Sequence, residues 1–449
     1  MRRKTVGSIE AVVVFVLVAV FLIFDGIALA AGPKEVVLDR FVLHKDGNFP
    51  AAGLIQDSAG NLYGTTRFGG ASGFGIVFEL TPPATAADAW TESILYSFQG
   101  GNDGANPTAG LVFDPAGNLY GTTSGGGGAT KCSSGCGTAF QLVPPAVATD
   151  SWTENVLYAF QGGDDGANPL AGLILDSEGN LYGTTSAGGR FTDGTVFQLA
   201  PPTTTGGTWT ETLLHIFGGN PDGKQPVAGL LFDQQGNLYG TTALGGAFKS
   251  GVIFKLHHTE GGTWNELLLY TFTGASDGGN PADSLVMDKE ENLYGTTPLG
   301  GTGTCTFSGS TCGTVFRLAP PATEGGAWTE TVLYSFQGGD DGDFPVAGLV
   351  FDKVGNLFGT TVAGGGGSCT LSTSTVGCGT VFQLAPPAAA GILWTETVLY
   401  SFLGDPNDGA QPLAGVIFGA KGGALLGTTS LGGHRTANTG VVFEVGPVQ

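Results

Sequence analysis

NPTAGLVFDPAGNLYGTT, residues 106–123, is one copy of a frame whose closing Gly-Thr-Thr occurs seven times, beginning at Gly64, Gly121, Gly183, Gly240, Gly295, Gly359 and Gly427. A repeat of this size is one supersecondary unit, which buries its apolar face only by stacking on its neighbours. In the type copy, Ala109 to Asp114 is a nearly continuous apolar run, and Asp114-Pro115-Ala116-Gly117 has the residue order of a type I turn. Asn118 to Thr123 follows, then a Gly-rich loop, then Gly137 to Leu142. Pro144 and Pro145 cannot donate to a ladder and mark a break before the alternating run Trp152 to Phe160. Each repeat therefore holds four short strands and no segment with a 3.6-residue apolar period.

Seven four-stranded antiparallel sheets in one phase predict an all-β, seven-bladed β-propeller, with blades near 51–99, 108–161, 170–217, 227–273, 282–337, 346–403 and 413–445. A β-helix would need shorter repeats and parallel strands, whereas tight Asp-x-x-Gly turns join adjacent strands here. The ends indicate how the ring closes. Val36 to Leu43 aligns with the Trp-bearing strand, while Val441 to Val445 aligns with the third strand of a blade that lacks a fourth. Pairing them supplies the missing outer strand of the last blade and removes two open sheet edges. In this phase the Ala-Gly start of the first strand lines the axis. The long strand bearing Glu92, Glu154, Glu211, Glu330 and Glu396 is expected at the outer rim.

The chain opens with Arg2, Arg3 and Lys4, an apolar run from Ala11 to Phe24, and Ala28-Leu29-Ala30, the layout of a cleaved signal peptide over residues 1–30. Retention of this segment as an anchor is the alternative. The mature protein, residues 31–449, is then a single domain, secreted or at the cell surface (extracellular or periplasmic), with no membrane insertion after cleavage. The formal charge of −21 argues against nucleic acid as a partner, since phosphate backbones demand basic patches. Only 12% of residues are charged, so Gly, Thr, Ser, Asn and Gln must cover much of the surface.

The frame GNLYGTT, followed by GG and then GTVF, resembles the Gloeobacter/Verrucomicrobium tandem repeat of bacterial surface proteins, from Val36 to Val445. Its Asp-x-x-Gly-Asn-Leu-Tyr part is also similar to blades of NHL and SMP-30-like propellers. The resemblance implies export, often with a C-terminal anchor; residues Glu444 to Gln449 do not have the character of one. It carries over no catalytic residues. The seventh copy departs from the frame at Gly419, Ala424 and Leu426, and the fifth has Asp283-Ser284 in place of Ala-Gly.

Two loops of each blade are expected on one face. The first holds Asp-Gly-x-x-Pro, at Asp46, Asp103, Asp165, Asp222, Asp277, Asp341 and Asp408. Turn chemistry explains this pattern. The sharper reading is an acidic ring at the channel mouth, with calcium the natural cation outside a cell and Asp164, Asp165, Asp340, Asp341 and Asp343 the better sites. The second loop varies: from the last Thr of Gly-Thr-Thr to the Phe of the third strand the offsets are 12, 17, 12, 12, 19, 21 and 14. The three longest hold all six cysteines, as Cys132 and Cys136, Cys305 and Cys312, and Cys369 and Cys378, so three local disulfides are expected.

His434 and Arg435 form a cationic pair in the variable loop of blade 7 and are weak candidates for contacting a carboxylate or carbonyl. His257-His258 replaces a Pro-Pro pair and is expected in a solvated turn on the opposite face. Six tryptophans at one phase, Trp90, Trp152, Trp209, Trp264, Trp328 and Trp394, suit inter-blade packing better than a stacking platform for sugars. No nucleophile elbow or phosphate-binding loop is visible. The uniform repeats favour a binding module for a glycan, a peptide or a surface protein over an enzyme. An extracellular lyase or hydrolase acting near the channel, and a structural surface-layer component, are the alternatives.

Overall fold

The computed structural model describes residues 33–448 apart from 43–45, 86–87, 148–149, 205, 260–261, 306–310, 324, 372–373, 390–392, 405–407, 421, 434–437 and 447. The expected signal peptide lies outside the described residues, as do His434 and Arg435. Seven four-stranded antiparallel sheets form the propeller. In blade 2 the order from the axis outward is Val112–Phe113, Leu119–Thr123, Thr138–Val143, Thr153–Ala159, and the other blades repeat it. Among the described residues the only helix is a single turn, Gly339–Asp341, and none is long and apolar enough to cross a membrane.

The ring closes by the expected route. Lys34–Arg40 pairs antiparallel with Val441–Gly446, from Lys34 opposite Gly446 to Arg40 opposite Val441, and so becomes the outer strand of blade 7. This strand starts and ends earlier in the chain than the sequence suggests, because Phe41 leaves the ladder to pack against Phe78 of blade 1.

That contact is one of seven like it. Phe98 meets Phe140, Phe160 meets Phe197, Phe217 meets Phe254, Phe272 meets Phe316, Phe336 meets Phe382, and Phe402 meets Phe443, all edge to face at 5.0–5.2 Å. Every pair joins the end of one blade's outer strand to the third strand of the next. Each such contact contributes about 0.5–1.5 kcal/mol beyond the area it buries. The tryptophans lie in the same seams: Trp209, Trp264, Trp328 and Trp394 stand 6.4–6.5 Å from the tyrosines of the preceding blades, Tyr120, Tyr182, Tyr239 and Tyr294.

The first Thr of Gly-Thr-Thr ties each blade to the next near the axis. Thr65, Thr122, Thr184, Thr296, Thr360 and Thr428 donate their hydroxyls to the carbonyls of Ala109, Ala171, Ala228, Ala347, Ala414 and Ala52. The seventh bond is missing. Thr241 Oγ1 is buried without a partner, and the residue at the receiving position is Asp283 rather than Ala.

Two expectations need correction. The innermost strand is two residues long in each blade, not six, because its Ala-Gly start bends against neighbouring backbone: a Cβ on Gly415 would stand 2.6 Å from the Gly348 carbonyl oxygen. His257 and His258 are not in a turn. They extend the third strand of blade 4 to Val252–His258, opposite Asn265 and Trp264, because histidine supplies the backbone N–H that proline lacks. The strands bearing the glutamates are outermost, as expected, and the glutamates sit half-buried in the blade seams, as described next.

Candidate functional site

The two loops assigned to one face are zipped together. The Asp-Gly segment pairs with the start of the variable loop, as Gly104–Ala105 with Gly125–Gly126 and Gly223–Lys224 with Leu244–Gly245. Similar ribbons form in blades 1, 3 and 7, and single bridges (Gly279 with Leu299, Asp343 with Ala363) take their place in blades 5 and 6.

The seven aspartates are engaged by their own loops. Asp103 accepts the Gln99 and Gly104 N–H groups and the Tyr96 hydroxyl at 3.1 Å. Asp165, Asp277, Asp341 and Asp408 likewise accept Tyr158, Tyr270, Tyr334 and Tyr400 at 3.1, 3.0, 2.6 and 3.1 Å. Asp46 accepts the Val42 N–H, and Asp222 faces His215. None of the seven lines the axial channel. Of the further acids considered for calcium, Asp164 and Asp340 are exposed. Asp343 is buried, its Oδ1 has no hydrogen-bond partner, and burial pushes its carboxyl up to about 6.

Across each seam the neighbouring outer strand brings a glutamate toward this tyrosine–aspartate pair. Burial, and then the facing Asp103, Asp165 or Asp277, lifts Glu154, Glu211 and Glu330 to about 7; burial and Asp341 lift Glu396 to about 8. The Oε1 atoms of these four are buried without a hydrogen-bond partner. Identical placement of Glu after Trp-Thr in successive repeats was the available signal, but spacing alone does not reveal that the strand crosses its neighbour.

The three cysteine pairs are disulfides: Cys132–Cys136, Cys305–Cys312 and Cys369–Cys378. Each sits on the glycine turn after its own blade's outer strand. A Cβ on Gly162, Gly338 or Gly404 would stand 2.9, 2.5 or 2.4 Å from the nearest cystine sulfur. In blades 1 and 3 the phenyl rings of Phe74 and Phe191 occupy the corresponding place over Gly100 and Gly218. The bridges thus clamp the longer loops down onto the first loop. They also place the folding of this chain in an oxidising compartment, outside the cytosol.

The axial channel, a cavity of about 560 Å³, is walled largely by small apolar residues and backbone. One charged side chain breaks the pattern. The Asp283 carboxylate reaches into the next blade, taking the Gly348 N–H as well as that of Ser284, and burial pushes its pKa up. Sequence inspection marks Asp283-Ser284 as a departure from the frame without assigning it a role.

The Gloeobacter/Verrucomicrobia repeat model matches residues 28–212 and 129–372. No curated protein matches the sequence. Among solved structures, similar chains include one described as a putative 6-phosphogluconolactonase from Bacteroides uniformis, at 13% identity and TM-score 0.47, covering 80% of this chain and 88% of that one. Another is a glucose dehydrogenase, at 13% identity and TM-score 0.40, covering 92% of this chain and 99% of the other.

Proposed function

The chain belongs to the Gloeobacter/Verrucomicrobia repeat family, and we propose that it is an exported binding module that recognises a glycan, a peptide or a surface protein through its disulfide-braced loop face. The observation that supports this most is the seating of all three cystines on the first loop of their own blades. A variable loop and a constant one become one fixed relief, which lowers the ordering cost of binding. The aspartates beneath it are engaged in holding turns, which leaves recognition to the loop surface. Calcium at the acids of blades 3 and 6 belongs to this reading as a structural ion.

The test is binding of the mature protein to glycan arrays, peptide libraries and isolated surface proteins. Saturable binding to one class, weakened at least tenfold in the Cys305→Ser/Cys312→Ser variant with its β spectrum intact, supports the proposal. Absence of saturable binding to all three classes overturns it. Calorimetric titration with Ca²⁺ showing no heat removes the ion from the account. A lyase or hydrolase in the channel is the second reading, and Asp283 is what favours it: a lone carboxyl at the axis whose pKa burial raises is suited to donate a proton. Polysaccharide turnover abolished by Asp283→Asn would decide for it.

A further inference from the structure

Blade 3 departs from the others where its outer strand meets blade 4. Its Tyr position is His215, seven residues before Asp222, as Tyr96 is before Asp103. The imidazole is held edge-on against Phe217, 4.6 Å between ring centres, much as Tyr96 stands 5.1 Å from Phe98. Its Nε2 therefore occupies the region where the phenol oxygen lies elsewhere. That nitrogen is 3.3 Å from Asp222 Oδ2 and 3.6 Å from Glu266 Oε1, the glutamate contributed by blade 4. One ligand atom from each of the three residues falls within 4.8 Å of the other two.

We propose that His215, Asp222 and Glu266 form a binding site for one divalent transition-metal ion, with zinc as the reference ion, bridging blades 3 and 4. Ligand atoms about 2.0–2.2 Å from a tetrahedral zinc stand about 3.3–3.6 Å from one another, which matches both imidazole-to-carboxylate separations. A neutral imidazole with two carboxylates neutralises a dication and leaves a fourth position for water. The Asp222 carboxylate is already oriented, since it accepts the Gly218 and Gly223 N–H groups at 2.8 and 2.6 Å. His215 and Asp222 keep about a fifth of their side chains exposed, so the site has a path from solvent. The other blades offer no such set among the described residues, because a tyrosine hydroxyl, a poor ligand while protonated, takes the place of the imidazole.

The experiment uses protein purified without a histidine tag, stripped with a chelator, loaded with Zn²⁺ and dialysed. Elemental analysis should find one equivalent of zinc. Co²⁺ in its place should give the intense visible bands of a four-coordinate ion. His215→Tyr installs the residue that five other blades carry, so the variant should fold with unchanged circular dichroism and lose the retained equivalent. Less than a fifth of an equivalent on the parent protein overturns the proposal and leaves His215 as a polar bridge between two carboxylates. Equal retention by His215→Tyr also overturns it, because the ion then lies elsewhere.

Discussion

The seam glutamates make the propeller more stable in mild acid than at neutral pH. In the unfolded chain a glutamate titrates near its ordinary value of 4.5, whereas Glu154, Glu211 and Glu330 sit at about 7 and Glu396 at about 8 in the fold. Folding therefore takes up protons between those limits, and stability falls as pH rises from 4.5 to about 8, then levels off. A full displacement from 4.5 to 7 corresponds to about 3.4 kcal/mol per group. These side chains keep partial contact with water, so screening reduces this to about 1 kcal/mol each, about 4 kcal/mol for the four. With an unfolding entropy of about 2.1 cal/mol/K per residue, that is a Tm about 5 °C higher at pH 5 than at pH 8. The acid limit comes from the turn aspartates. At Asp114 and Asp233 burial opposes ionisation, but the hydrogen bonds from Asn118 and Asn237 outweigh it and leave both below the ordinary value. Their contribution disappears only as pH falls below about 4. Scanning calorimetry from pH 4 to 9 measures the curve. Glu→Gln at positions 154, 211, 330 and 396 should flatten it and raise Tm at pH 8. A Tm that is level or rising from pH 5 to 8, or a quadruple variant less stable at pH 8, would refute the reasoning.

Deleting residues 34–40 should cost about 2–3 kcal/mol from the partly buried Val37 and Leu38 alone, seen as an earlier denaturant midpoint, with added loss from the freed edge of Val441–Gly446. Asp283→Ala should leave stability within about 1 kcal/mol of the parent in urea melts, since removing a buried carboxyl offsets the loss of its bonds from the Ser284 and Gly348 N–H groups. Removing the cystines one at a time should cost about 2, 2.4 and 2.6 kcal/mol in the order of their separations, 4, 7 and 9 residues, read as successive falls in Tm of the paired Cys→Ser variants.

The blade count, the closure and the cystine pairing were legible because each depends on local chemistry repeated in phase. Gly-Thr-Thr fixes the period, and two cysteines inside one short loop have few other partners. Features that depend on one blade crossing another were not legible. Glu154 looks like a rim residue until the outer strand is seen to pass over Asp103 and Tyr96. His215 recurs in no other repeat, and only its seven-residue spacing to Asp222, the same as that of Tyr96 to Asp103, ties it to the frame. The inner strand was overread because an apolar run does not reveal the contact between Gly415 and Gly348 at the axis.

The pairing of Lys34–Arg40 with Val441–Gly446 joins segments some four hundred positions apart. The ribbon made first must wait until the last blade has emerged. During synthesis the array has two sticky ends and no cooperative whole, which is when proteases and neighbouring copies compete for it. Closing the circle is thus a timing device as well as a clasp. It leaves the polypeptide pliable while it is being made and commits it to a durable form only when the seventh blade is complete.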